Sequence, residues 1–458
     1  MLRRKIGSSD IFLGTERLIK CFNGLGKDCG KWVVAGLWGC LISCKTPPQA
    51  YEPYGLKGSS EGPSGTLELV AEHKLCALLS GSEKDRLKNH LSEEIKDIEE
   101  KDLCDERKVK LEASGIDYYK ESFYIALDNT YNLFQVEFDG EYIPKQGTGR
   151  FLGGFFDLLG GSGFEGVSIE KKDGFVALNV EAKYLVSEDE RRLGGAVYIN
   201  SLSRVDARTS LKHFTDTFTE LLVDDKKSSK SDRFERENKG YEGMAHLVTE
   251  LSGGERVVVL FALCEGNYCA KKDKDHQNTG HGRMHIFFKT SEDLKALEEC
   301  QRDFNRNSLG SLKDKFFERC RFRWDQGIEV NLPRDLEFID YSGMDIRFTK
   351  TDEQDVYAGE MIVSSQESAE LAILSMQADL RDLKEKGDIK TSFGGVQRFS
   401  FPRANDGSQV YCNVEGVVFL GERGGRLIGA VSDRAKGSQD KNCRTKDQSV
   451  HIFRLPRI

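Results

Sequence analysis

The sequence predicts an α+β protein: repeated units of antiparallel sheet built from β-hairpins, each with a helix packed on one face, preceded by an N-terminal helical pair. Three observations predict it. Runs of period two recur along the chain, stripes of helical spacing separate them, and one stretch of sequence is duplicated 234 residues apart.

The helical pair comes first. Residues 66–79 carry Leu67, Val70, Leu75 and Leu78 at helical spacing, and residues 82–113 carry Leu87, Leu91, Ile95 and Ile98. Ser82 is a suitable N-cap and Gly115 a suitable stop. From about 118 the period becomes two. Tyr124–Leu127 and Phe134–Phe138 read as strands, and Asp139-Gly140 has the composition of a tight turn. Eight of the 20 residues of 147–166 are glycine, which suits a packed connection or a lid.

The duplication follows. Val176-Ala-Leu-Asn-Val-Glu181 recurs as Val410-Tyr-Cys-Asn-Val-Glu415, and matches continue to Val197 and Val431, with ten identities in 22 positions. A weaker third copy runs through His246–Leu251, the turn Ser252-Gly-Gly-Glu255 and Arg256–Phe261. The second and third copies each lead through a polar loop to a His-Ile-Phe strand, at His285 and His451. Helical stripes intervene at Leu211, Phe214, Phe218, Leu221 and Leu222, at Leu294 and Leu297 after Thr290 or Ser291, and at Ile373, Met376, Leu380 and Leu383 before Gly387. The resulting division is 1–43 a signal segment, 44–65 a flexible tether, 66–114 helical, 115–225 a first α+β unit, 226–240 a charged linker, 241–335 a second unit and 336–458 a third. The linker lies in Asp224–Lys239, where eleven of sixteen residues are charged.

Charge separates the leader from the body. Residues 1–43 hold seven Lys/Arg and three Asp/Glu, which leaves 60 basic and 72 acidic residues in the remainder. An acidic body of ordinary hydrophobicity argues against a nucleic-acid partner, which calls for a basic face. The uncharged run Trp32–Ser43 is 12 residues long and follows Lys27 and Lys31. That is too short to span a bilayer, which takes about 20 residues, and fits the apolar core of an export signal. It ends in Leu41-Ile42-Ser43-Cys44. This segment resembles the lipobox of bacterial lipoproteins. The resemblance implies cleavage before Cys44 and a diacylglycerol on its sulfur, with acyl chains of the palmitate kind. Residues 45–65, with four of the chain's eight prolines, read as a tether.

Candidate chemistry is sparse. Leu251-Ser-Gly-Gly-Glu255 is similar to an ATP-binding-cassette signature, but no phosphate-cradling Gly-x4-Gly-Lys loop accompanies it. Gly58–Gly62 matches a nucleophile-elbow pattern inside the tether, where the elbow's strand and helix are missing. Cys264, Cys269, His276, His281 and His285 fall within 22 residues and are weak candidates for zinc. No stable metal is expected, because His285 shares its setting with His451, and no cofactor is expected. Cys76, Cys104, Cys264, Cys269, Cys300, Cys320, Cys412 and Cys443 follow Cys44. Their even number in an exported chain permits disulfides, and Cys412–Cys443 is the preferred pair. The expected function is non-enzymatic: a lipid-anchored envelope or surface protein, at the outer membrane or cell surface, possessing a surface for an unidentified protein or host ligand. The alternatives are an exported metal-dependent enzyme using the Cys264–His285 loop, and a cytosolic interaction protein in which residues 32–44 are core.

Overall fold

The structure, a computed structural model, describes residues 65–92, 99, 103–104, 109–128, 133–152, 164–171, 175–184, 193–201, 218–221, 241–265, 282–290, scattered positions in 292–299, 323–324, 328–338, 340–421, 426–434 and 441–456. For 175, 179–184, 193–201, 218–221 and 323–324 it describes the backbone. Cys44 and the tether therefore lie outside the described residues, as do Cys269, His276 and His281.

Strand β1 (Glu68–Lys74) leads into helices α1 (Leu75–Leu78) and α2 (Gly81–Ser92). Four strands follow: β2 (Ala113–Tyr119), β3 (Ser122–Leu127), β4 (Leu133–Glu137) and β5 (Arg150–Leu152). Next are β6 (Phe164–Ile169), β7 (Phe175–Tyr184), β8 (Leu193–Ser201) and β9 (Phe218–Leu221). Then come β10 (Tyr241–Glu250), β11 (Arg256–Cys264), β12 (Arg283–Thr290), β13 (Arg323–Trp324) and β14 (Ile328–Asn331). The fourth group is β15 (Gly343–Lys350), β16 (Val356–Ser365), β17 (Glu370–Asp379), helix α3 (Leu383–Lys386) and β18 (Lys390–Ser400). The last is β19 (Val414–Phe419), β20 (Leu427–Ser432) and β21 (Ser449–Arg454).

These strands form five sheets: β2-β3-β4-β5, β6-β7-β8-β9-β13, β10-β11-β12-β14, β15-β16-β17-β18 and β19-β20-β21-β1. The first strand of each sheet touches the first strand of the next, in the cycle β2, β6, β10, β15, β19 and back to β2. The sheets are thus the blades of a propeller-like ring, closed by β1 pairing with β21. The apolar cores lie between blades. Met344, Ile346 and Met361 of the fourth pack with Val259, Phe261 and Ile286 of the third. Ile362, Leu371 and Phe399 pack with Val417, Phe419 and Phe453 of the fifth.

This corrects the expected fold class. The protein is mostly β, and the sheets are covered by each other rather than by helices. The physical reason is double coverage. A sheet wedged between two others is apolar on both faces, so alternation fades and chance helical spacings appear. Ile373 and Met376, read as a helical stripe, lie on β17, where Leu371–Leu374 is buried or nearly so on both sides. Phe218 and Leu221 lie on β9. Residues 68–74, assigned to the first helix, are strand β1, and Gly115 is inside β2 rather than a helix stop. Of the expected helices, α1 and α2 remain, with Leu75, Leu78, Leu87 and Leu91 filling the wedge between the fifth and first blades. So do the described helical positions among 292–299, where Thr290 Oγ1 accepts the Asp293 N–H at 3.2 Å, and the end of the 373–383 stripe, where α3 holds Leu383 and stops at Gly387. Ser80 rather than Ser82 caps α2, accepting the Glu83 N–H at 3.3 Å.

The duplication is also one strand out of step. Both copies are hairpins, but β7–β8 are the second and third strands of their blade, whereas β19–β20 are the first and second of theirs. The second and third copies, β19–β20 and β10–β11, do correspond. His285 pairs with Ala262 and His451 with Ala430, both between a second and a third strand.

Candidate functional site

The centre of the ring is built from one short pattern that occurs five times: Ala113-Ser-Gly-Ile, Phe164-Glu-Gly-Val, Tyr241-Glu-Gly-Met, Tyr341-Ser-Gly-Met and Val414-Glu-Gly-Val. Each copy opens an inner strand. A Cβ on Gly115 would stand 2.7 Å from the Gly166 Cα, one on Gly243 2.8 Å from the Met344 nitrogen, and one on Gly416 2.8 Å from the Gly115 Cα. A Cβ on Gly343 would collide with the Glu415 carbonyl oxygen. Neighbouring inner strands meet backbone to backbone at these glycines.

The residue before each glycine is Ser or Glu, and at this end of the ring carboxylates converge. Glu415 feels the charges of Asp433, Glu242, Asp128 and Glu165, contributed by the other inner strands and by the turns after second strands. Burial first, and then those four charges, push its carboxyl well above the usual carboxylate range. Gln366 donates its amide N–H to Glu415 Oε1, and Ser114 Oγ donates to Glu165 Oε2 at 2.9 Å. The result is a largely buried cluster of carboxyl groups at one end of the ring. Among the described residues, no three His, Cys, Asp or Glu side chains have the arrangement of a metal site.

Toward the other end, the residue two beyond the glycine reaches into the next blade. Asp117 Oδ2 accepts the Ile169 N–H at 2.6 Å, Asp345 Oδ2 accepts the Phe419 N–H at 2.9 Å, and Ser168 Oγ bonds His246 Nδ1 at 2.7 Å. Each partner stands three beyond its own ring glycine. Burial pushes the Asp117 carboxyl up to about 6 against the pull of the Lys171 ammonium.

A second polar cluster crosses the fifth blade. Ser432 Oγ donates to His451 Nε2 at 2.7 Å, and His451 Nδ1 donates to Glu72 Oε2 at 3.1 Å. Lys446 Nζ bonds Glu72 Oε1 at 2.7 Å and the Tyr411 hydroxyl donates to Glu72 Oε2 at 3.2 Å. Burial lowers the His451 pKa, so the ring is neutral and the proton sits on Nδ1. Burial would raise the Glu72 carboxyl, but the His451 hydrogen bond and the charges facing it hold it at about 2. The order of groups is that of a nucleophile, base and carboxylate. It is nonetheless sealed, since Ser432 is 1% and His451 0% exposed, and no substrate reaches the hydroxyl. It acts as a structural relay across β20, β21 and β1.

No protein-family description matches the chain, and neither does any curated protein. Among solved structures it is similar to the Saccharomyces cerevisiae core factor, at 8% identity and a TM-score of 0.22, over 73% of this chain. The chain spans 44% of that protein. So slight a likeness carries no argument about function.

Of the residues singled out from sequence, Cys264 and His285 are described. Cys264 is buried at the end of β11 and disulfide-bonded, so its sulfur is not a thiolate ligand. His285 is buried in β12 with Nδ1 2.6 Å from the Tyr241 hydroxyl. The expected Cys412–Cys443 bridge is present, together with Cys76–Cys104. The ring glycines and the Glu/Ser before them went unrecognised. Their signal was the five-fold pattern itself, hidden by irregular spacings of 51, 77, 100 and 73 residues between glycines.

Proposed function

We propose that this protein is a lipid-anchored, non-enzymatic binding protein of the cell envelope, with the ring as a rigid scaffold for its ligand. The observation that carries the reading is the use of cysteine. Cys76–Cys104, Cys412–Cys443 and the disulfide of Cys264 suit an oxidising compartment, where exported proteins reside. That agrees with the export signal and lipobox ending at Cys44. A propeller offers turns and loops on both ends of a stiff ring, which suits recognition. The acidic balance of the chain beyond residue 43 favours a cationic or neutral ligand over a nucleic acid. In native cells the chain is expected to start at an acylated Cys44 and to partition into detergent. Cys44→Ala should release it into the aqueous phase. A chain of intact mass beginning at Met1 and lacking lipid would refute the anchor.

A further inference from the structure

We propose that β1 is a detachable strap, which swings out as a unit about Leu75 while the rest of the ring stays folded. The ring is closed by β1 pairing antiparallel with β21, from Glu68 opposite Arg454 to Lys74 opposite Ser449. β1 differs in kind from the strands it joins. Every residue of β19 and β20 is buried, as are five of the six in β21, whereas no residue of β1 is fully buried.

β1 is fastened by its backbone ladder to β21, by Leu69, Val70 and Ala71, which are only partly buried against the flanking cores, and by charge. The ion pairs are Glu72 with Lys446 at 2.7 Å, Lys74 with Asp447 at 2.6 Å and Glu68 with Arg454 at 2.9 Å, and the neutral His451 adds a hydrogen bond to Glu72 at 3.1 Å. An apolar seam loses its whole hydrophobic contribution when it opens. A buried ion pair regains the hydration of both partners, which offsets much of the lost attraction. The seam at β1 therefore opens more readily than the seams between blades. Its leading end is held by the buried Leu67 and by two backbone hydrogen bonds to Ser400.

The far side of the hinge is firm. Leu75, Leu78 and Leu79 are buried in the wedge between the fifth and first blades, and the Cys76–Cys104 bridge begins two residues after Lys74. Motion is thereby confined to residues before Leu75. Opening leaves the outer edge of β21 with unpaired backbone groups, able to accept another extended segment.

Residue-resolved hydrogen exchange on the full chain under native conditions tests this. The β1 amides that bond β21 should exchange at least tenfold faster than the bonded amides of β20, and at one common rate along β1. Glu72→Gln should speed β1 by a further tenfold or more and leave β15–β17 unchanged. Lys386→Ala, which removes an exposed ion pair beside α3, should change neither. Equal rates in β1 and β20 would overturn the proposal. So would a gradient along β1, which marks fraying from one end, or acceleration of all blades together by Glu72→Gln. If that variant does not fold, the wild-type rates alone decide.

Discussion

At Gly416 the energetics of the ring reduce to one missing atom. A methyl group there would meet the Gly115 Cα, the Ile116 nitrogen and a Val431 methyl, all at 2.8 Å, and two of these three are backbone. Backbone in two locked blades yields little, so Gly416→Ala should destabilise the protein by about 1–3 kcal/mol or more through overpacking. Gly253, in the β10–β11 turn, has only the flexible Lys384 ammonium within reach, at 3.9 Å, and Gly253→Ala should lie within about 0.5 kcal/mol of wild type. Thermal melts of the two variants side by side check the contrast. Glu72 makes a separate prediction. Its carboxyl titrates at about 2 in the folded protein, below its ordinary 4.5, so it contributes stability above pH 4.5 that is lost as pH falls toward 2. The amount is about 3 kcal/mol. His451, held neutral by burial, also favours folding less as pH falls below the ordinary imidazole range. Denaturant titrations from pH 7 to 2 should therefore show a loss below pH 4.5 that Glu72→Gln lacks. That variant should be less stable than wild type at pH 7, because it leaves Lys446 buried without its carboxylate.

Among the elements, the loop from β20 to β21 does more than connect. It supplies Lys446 and Asp447, which hold Glu72 and Lys74 of β1, and Cys443, which is bridged to Cys412 just before β19. The bridge spans 31 residues and limits the unfolded chain more than the folded one. Cys412→Ser should cost about 3 kcal/mol, read as a lowered melting temperature that reductant does not lower as much further as it does in wild type. Element type was legible where only one face of a segment is buried or where a turn has its own chemistry. Asp139 accepts the Glu141 and Ile143 N–H groups and Gly387 ends α3 with positive φ, both at positions whose composition announces a turn or a stop. Legibility failed where both faces are buried. Leu371–Leu374 of β17 is apolar throughout, and without alternation the spacing of Ile373, Met376, Leu380 and Leu383 imitates a helix.

For the whole molecule, the sequence by itself determined the local facts. These are the hairpins, the correspondence of His285 with His451, and the separation of a basic stretch over residues 1–43 from an acidic remainder. Each depends on neighbours in the chain or on composition, and so can be read without knowing the fold. The pairing of Cys412 with Cys443, by contrast, was one option among many until the fold brought the two together. Only the tertiary structure decided that five sheets close into a ring. Closure rests on contacts far apart in sequence, of which Glu68 with Arg454, 386 residues away, is the extreme. It also decided the roles of single residues. Ser114, Glu165, Glu242, Ser342 and Glu415 share one end of the ring only because each precedes a glycine on an inner strand, and loops of unequal length conceal that common place. Asp117 and Asp345 influence each other although they belong to blades that are not adjacent. No period in the chain encodes such a meeting, because it arises from the circle the inner strands make and not from the order in which they are synthesised.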